Sequence, residues 1–344
     1  MENTKIMRKS YSRYAIGCFT FLMAAIAIQL FVSIVLTKII PESITGTSAF
    51  TFLNIIVPEY CVGFPLLLLI TSKMDKNAPE KNKLGFGRFI VIFLLVAGVS
   101  GVLNIFGVIV HSGVLRIFGK SLADNQGVGG LIMNSNPFWR ILTVGILAPI
   151  VEEFIYRKFL IDRVVKYGEW VAIITSALMF GLFHGNFSQF FFAAAIGGIF
   201  AYVYIRTGKV WITIIYHMII NLSTSVIYIG LLQRVDMEKI NVMTELAKQV
   251  QASGGQDQAL AQAYTESVMA VMGSALPFML FLGFEILLVF AGLVVWIVVL
   301  ARKKIKVVKT EDTVKGGMKY AWGNVGMILF VIGCLTLFVL NYAL

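Results

Sequence analysis

The chain has 344 residues, 58% of them hydrophobic and only 14% charged, at a mean hydropathy of +0.84. A soluble globule keeps about a quarter of its residues charged to cover its surface, so a soluble enzyme, a disordered chain and a secreted disulfide scaffold are excluded together. In a membrane protein the net charge of +11 is a topology signal, and nucleic-acid binding has no support.

A span needs about 20 mostly apolar residues, and about nine runs of that kind follow one another. The first, 14–37, is too long for a signal-peptide core and has no small-residue cleavage site after it, so it reads as a retained anchor. Runs at 50–71, 87–110 and 138–160 come next. The pair 169–185 and 188–206 shares a tight turn at Gly185–Ser188, and 210–231 completes the middle of the chain. A polar stretch, 232–275, then has helical composition over Met237–Gln251 and Gln256–Met269, broken at Ser253-Gly254-Gly255. It is expected to form an extracytoplasmic helical hairpin or cap. Runs at 276–300 and 321–343 close the chain. Cys18, Cys61 and Cys334 all lie within apolar runs, widely spaced, and read as packing residues rather than disulfide partners or zinc thiolates.

Basic residues set the orientation. The N-terminal tail, the 72–88 loop, the 157–166 stretch, Arg206 with Lys209, and the 301–320 loop together hold 22 lysines and arginines, while the alternate loops hold 7. The asymmetry puts the N-terminus in the cytoplasm and the C-terminus outside. The expected fold is an all-α polytopic bundle in four parts: an N-terminal three-span region (1–136), a four-span core (137–231), the helical insertion (232–275) and two C-terminal spans with a basic cytoplasmic loop (276–344).

Ionisable groups inside a span are costly, so each is a functional suspect. They are Glu59, Glu152, Glu153, His184, His217 and Glu285, with Asn221 as an amide companion. Glu153 and Arg157, four apart, share a helix face in the favourable order. Glu152 projects about 100° away and is left free to act as a general base. An antiparallel hairpin turning near Gly168 brings Glu152 level with His184, and His217 and Asn221 share a face of the seventh span at similar depth. Interhelical hydrogen bonding alone accounts for any one of these residues, but less well for two carboxylates, two histidines and an amide at one level.

Such a set suits hydrolysis of a peptide bond. Glu152 takes a proton from water that His184 orients, and His217 with Asn221 donates to the oxyanion. The same groups also match a site for one divalent metal such as zinc, with Glu152, His184 and His217 as the candidate ligands. Spacing does not separate the two. No serine or cysteine stands out as a covalent nucleophile.

Glu152-Glu153-xxx-Arg157, Phe180-xxx-His184 and His217-xxx-Asn221, in that order on successive spans, resemble the three motifs of the CPBP family. These are the CAAX-protease and bacteriocin-processing (Abi) intramembrane proteases, with the Rce1-like prenyl-protein endopeptidases among them. The resemblance covers about 137–231. It implies a membrane endopeptidase, a metalloprotease by name with a metal-free glutamate mechanism as the competing view, whose site faces the cytosol. The implied roles are water activation for Glu152 and His184, oxyanion support for His217 and Asn221, and organisation of the site for Glu153 and Arg157. Expected partners are membrane lipids and a membrane-associated peptide or lipidated protein substrate. Lys-, Ile- and Met-rich usage suggests a low-GC bacterial cell membrane. Two other readings remain open at this stage: a non-enzymatic immunity, regulatory or scaffold protein of the same family, and a proton-coupled transporter, against which the lack of internal repeats counts. Glu59 and Glu285 lie outside the motifs and either line the cavity or pair with a buried partner.

Overall fold

In hydrocarbon each backbone N–H and C=O has to find its partner within the protein, which leaves helices as the solution for apolar runs of this length. The structure, a computed structural model, describes residues 2–122, 130, 133–309 and 312–343, and every regular element among them is helical. In chain order the principal helices are α1 (Glu2–Ile34), α2 (Ser48–Thr71), α3 (Phe86–Ile117), α4 (137–164), α5 (Glu169–Phe183), α6 (Phe187–Thr207), α7 (Val210–Leu232), α8 (Met237–Ala252), α9 (Gln258–Ala301), α10 (Gly317–Trp322) and α11 (Val325–Ala343).

Among the described residues seven helices are long and apolar enough to cross a membrane: α1, α2, α3, α6, α7, α9 and α11. The expected nine include two more helices that do not meet this criterion. The two that fall out are α4, whose middle carries Glu152, Glu153, Arg157 and Lys158, and α5, whose 15 residues reach only about 22 Å against a hydrocarbon core of about 30 Å. Both are helical; α4 carries Glu152, Glu153 and Arg157, and His184 caps the C-terminal end of α5. The chain is an integral, multi-pass membrane protein.

A second difference concerns the insertion. The border expected at 275/276 falls inside α9, a single helix of 44 residues that runs from the polar cap through the eighth span with Pro277 in its interior. A proline inside a span is tolerated where neighbouring helices satisfy the freed carbonyl. Helix α8 packs back on α9, with Asp236 capping its first turn through a bond from the Lys239 amide (3.1 Å).

The core lies where α1, α4, α5 and α11 meet. Met7, Tyr11, Tyr14, Cys18 and Phe21 of α1 pack with Tyr156, Leu160, Met179, Phe180, Phe330 and Cys334. Glycines let helices approach at two crossings. A Cβ on Gly326 of α11 would lie 2.0 Å from the Ser12 carbonyl oxygen, and one on Gly292 of α9 would lie 2.1 Å from that of Leu94 on α3.

The loops sort to two ends. At one, the Asn77 amide donates to the Asp162 carbonyl (2.5 Å), that of Asn82 to Thr207 (2.9 Å) and that of Val314 to Tyr167 (3.1 Å). Arg163 Nη2 also donates to the Thr71 carbonyl there (3.2 Å). These bonds gather the segments rich in lysine and arginine. At the other end the Asn136 amide donates to Ser48 Oγ (3.1 Å), and Asn341 donates to the Gly185 carbonyl (3.3 Å).

Candidate active site

Helix α4 is not a regular α-helix. Two π-helical stretches, Ile141–Leu147 and Phe154–Phe159, flank the turn Ala148–Glu153, and a third, Ser223–Tyr228, follows Asn221 in α7. Such widened turns release backbone carbonyls from the regular ladder and are common around functional groups. Here one of those carbonyls, Val144, accepts the Asn221 side-chain amide at 2.9 Å and ties α7 to α4.

The centre of the cluster is Glu153, whose side chain is fully buried. One of its oxygens lies 3.0 Å from His217 Nδ1 and the other 3.1 Å from Arg157 Nε. Arg157 is itself fully buried, and its N–H groups lie off the hydrogen-bonding line to protein acceptors, so the contact with Glu153 is chiefly electrostatic. Aromatic faces supply the rest of its surroundings: the guanidinium carbon sits 4.5 Å from the Phe180 centroid and 5.5 Å from that of Phe200. A buried ion pair with such partners holds its geometry, because loss of either member strands a charge in low dielectric.

His217 is held between two carboxylates. Beyond the Glu153 contact at Nδ1, its Nε2 faces Glu152 Oε2 at 3.6 Å, and the Glu152 side chain is 24% exposed. Glu152 is thus the member of the pair open to a reactant. The Phe180 ring stands edge-on to both histidines, 4.9 Å from His184 and 5.7 Å from His217. His184 closes α5, where its Nδ1 lies 2.9 Å from the Phe180 carbonyl. A carbonyl only accepts, so Nδ1 carries a proton and the neutral ring keeps its lone pair on Nε2.

The structure therefore brings Glu152, Glu153, Arg157 and His217 into direct contact, sets His184 against the same phenylalanine, and anchors Asn221 one turn beyond His217. It differs from the expected arrangement in its contacts: Glu152, expected level with His184, approaches His217 instead, and Glu153 approaches the same ring. Helix spacing gives level along the axis but not how neighbouring helices turn toward one another. Phe180 and Phe200 were missed as partners of Arg157, although the position of Phe180 four residues before His184 was visible. Glu285 of α9 resolves as a pairing: Ser223 Oγ donates to its carboxylate at 2.7 Å. Glu59 of α2 has the Gln29 side chain of α1 as its hydrogen-bond partner.

Among the described residues no three His, Cys, Asp or Glu side chains gather closely enough to hold a metal ion. A metal-ligating histidine ordinarily turns its other ring nitrogen to a carboxylate or a backbone carbonyl, as His217 Nδ1 does with Glu153 and His184 Nδ1 with the Phe180 carbonyl, which leaves Nε2 of each ring toward the site. Glu152, His184 and His217 are the residues that would hold a divalent metal, which would supply Lewis-acid activation of water, although their side chains do not gather to ligand distance here.

Residues 134–223 match the family described as type II CAAX prenyl endopeptidase Rce1-like. The chain is also similar to the "Putative membrane peptidase YdiL" of Bacillus subtilis (strain 168), 32% identical over 172 residues. That match takes in 47% of this chain and 65% of the relative's length. No solved structure matches the chain.

Proposed function

We propose that this membrane protein, whose residues 134–223 match the Rce1-like CAAX prenyl endopeptidase family, is an endopeptidase that hydrolyses a bond of a membrane-associated peptide or lipidated protein near the cytoplasmic side. The observation that carries the reading is the Glu153–His217–Glu152 array, with contacts of 3.0 and 3.6 Å around one imidazole. A buried carboxylate fixes one side of the ring, and a partly exposed carboxylate stands at the other.

In this reading water sits between Glu152 and His184 Nε2. Glu152 takes its proton as the oxygen attacks the scissile carbonyl, then returns that proton to the departing amine. The tetrahedral oxyanion is received by donors on α7, with His217 Nε2 and the remaining Asn221 N–H on the same helix face. Glu153 and Arg157 touch no reacting atom; they hold His217 in place. The cytoplasmic placement of the site follows from the basic end of the bundle being the inner one. His217 stands eight residues in from Lys209 at that end, about 12 Å along α7.

The test is peptide hydrolysis by purified protein in detergent, using a varied panel and mass spectrometry of the products, with His184→Ala and His217→Ala beside the wild type and each run with and without a chelator. Expected are cleavage by the wild type that the chelator leaves intact and a loss of about 10²-fold or more in each variant. Full chelator sensitivity, restored by a divalent cation, contradicts the metal-free form of the mechanism.

A further inference from the structure

His184 ends α5, and Gly185 and Asn186 turn the chain into α6. A turn this short leaves carbonyls open at the end of one helix and amides open at the start of the next. Part of the need is met locally. Gly185 takes the left-handed conformation (φ 65°), Asn186 Oδ1 accepts from the Gln189 amide (2.9 Å), and Asn186 Nδ2 donates to the His184 carbonyl (2.8 Å). The rest comes from α11 and α3, both outside the segment matched to the family.

From α11, Tyr342 Oη accepts the Phe187 amide at 3.0 Å, and Asn341 Nδ2 donates to the Gly185 carbonyl at 3.3 Å. Leu337, one turn before Asn341, packs so closely on Gly185 that a Cβ on that glycine would lie 2.7 Å from its own. From α3, Gly107 lies against the Phe187 and Ser188 carbonyl oxygens, each 2.8 Å from where a Cβ would stand. One turn on, His111 places Nδ1 2.5 Å from Tyr342 Oη. A phenol carries a single proton, and with the Phe187 amide donating to its oxygen that proton goes to His111 Nδ1. Tyr342 and His111 are both buried, so loss of either bond strands its partner away from water. The turn matters for what it carries. Among the described residues one hydrogen bond holds the His184 ring, to the Phe180 carbonyl four residues back, so the aim of the ring follows the backbone of the turn.

We propose that Tyr342, oriented by His111, is a positioning residue for His184: the pair fixes the 185–187 turn and with it the direction in which His184 Nε2 meets the attacking water. The assignment rests on the peptidase reading above. Neither Tyr342 nor His111 touches a reacting atom.

The experiment uses the full chain in detergent and reads peptide cleavage beside the imidazole nitrogen signals of histidine-labelled protein. The chain has only three histidines, so single substitutions assign each signal. Tyr342→Phe keeps the ring and removes the hydroxyl. It lowers kcat by about tenfold with KM within about twofold of wild type, and it moves the His184 signal while that of His217 stays in place. His111→Leu does the same, whereas His111→Asn, whose amide oxygen takes the Tyr342 proton, returns kcat to near the wild-type value. A hydroxyl that served only the stability of the bundle lowers the unfolding temperature and leaves kcat and the His184 signal of the folded protein unchanged. That outcome overturns the proposal, and so does a fall in kcat without movement of the His184 signal, or an equal fall in His111→Asn and His111→Leu. If wild type cleaves and Tyr342→Phe cleaves as well, the peptidase reading stands and this assignment alone falls. If wild type cleaves no peptide, the peptidase reading fails and takes the assignment with it.

Discussion

Glu152 and Glu153 are adjacent in the chain and opposite in environment: one side chain is 24% exposed, the other fully buried between a histidine and an arginine. Their amide variants are expected to fail in different ways. Glu153→Gln leaves Arg157 as a buried cation without its counter-charge, at a cost on the order of 3 kcal/mol. It therefore lowers the thermal unfolding temperature in detergent as well as activity. Glu152→Gln removes a group with little structural duty and leaves the unfolding temperature near that of wild type. Equal unfolding temperatures for Glu153→Gln and wild type contradict the role given to the Glu153–Arg157 pair. Arg157→Lys is expected to behave like Glu153→Gln, since an ammonium cannot lie flat between the Phe180 and Phe200 rings as the guanidinium does. At this scale the motif residues themselves were legible, and so was the i,i+4 pairing of Glu153 with Arg157. The approach of both glutamates to His217, and the aromatic clamp on Arg157, depend on how α4, α5 and α7 are rotated about their axes, which residue spacing does not encode.

At the scale of elements, the tight crossings are the sensitive points. Gly292 of α9 lies against the backbone of Leu94 and Gly98 on α3, closely enough that any side chain forces the helices apart. Gly283, on the same helix, meets nothing within 4 Å. Gly292→Val is expected to lower the unfolding temperature and the yield of folded protein sharply, while Gly283→Ala is neutral; similar behaviour of the two variants contradicts the crossing described. Long apolar runs made seven of the helices legible. Helices α4 and α5 were expected as spans and are helical, but charged residues in α4 and the short length of α5 keep both outside the seven that are long and apolar enough to cross a membrane. Of the site's charges in α4, Glu153 and Arg157 are fully buried and Glu152 is partly exposed. The continuity of α9 was hidden by its change from polar to apolar composition near 275, with Pro277 marking a break that the helix does not make.

For the whole molecule, the basic segments were counted along the chain and the structure joins them into one end through the Asp162, Thr207 and Tyr167 carbonyls. Which end faces the cytosol is a proposal that labelling in intact cells tests. In a chain whose native Cys61 is replaced by serine, Gly254→Cys at the α8–α9 turn is expected to react with a membrane-impermeant thiol reagent, and Lys81→Cys only after permeabilisation. The reverse pattern inverts the topology and removes the argument for a cytosol-facing site.

The central claim is that Glu152 activates water for peptide-bond hydrolysis, and the most direct measurement compares wild type with Glu152→Gln on a cleavable membrane-associated peptide, both proteins first shown to unfold at the same temperature. Wild type is expected to cleave, with a loss of at least about 10²-fold in the variant. Cleavage by Glu152→Gln at the wild-type rate contradicts it.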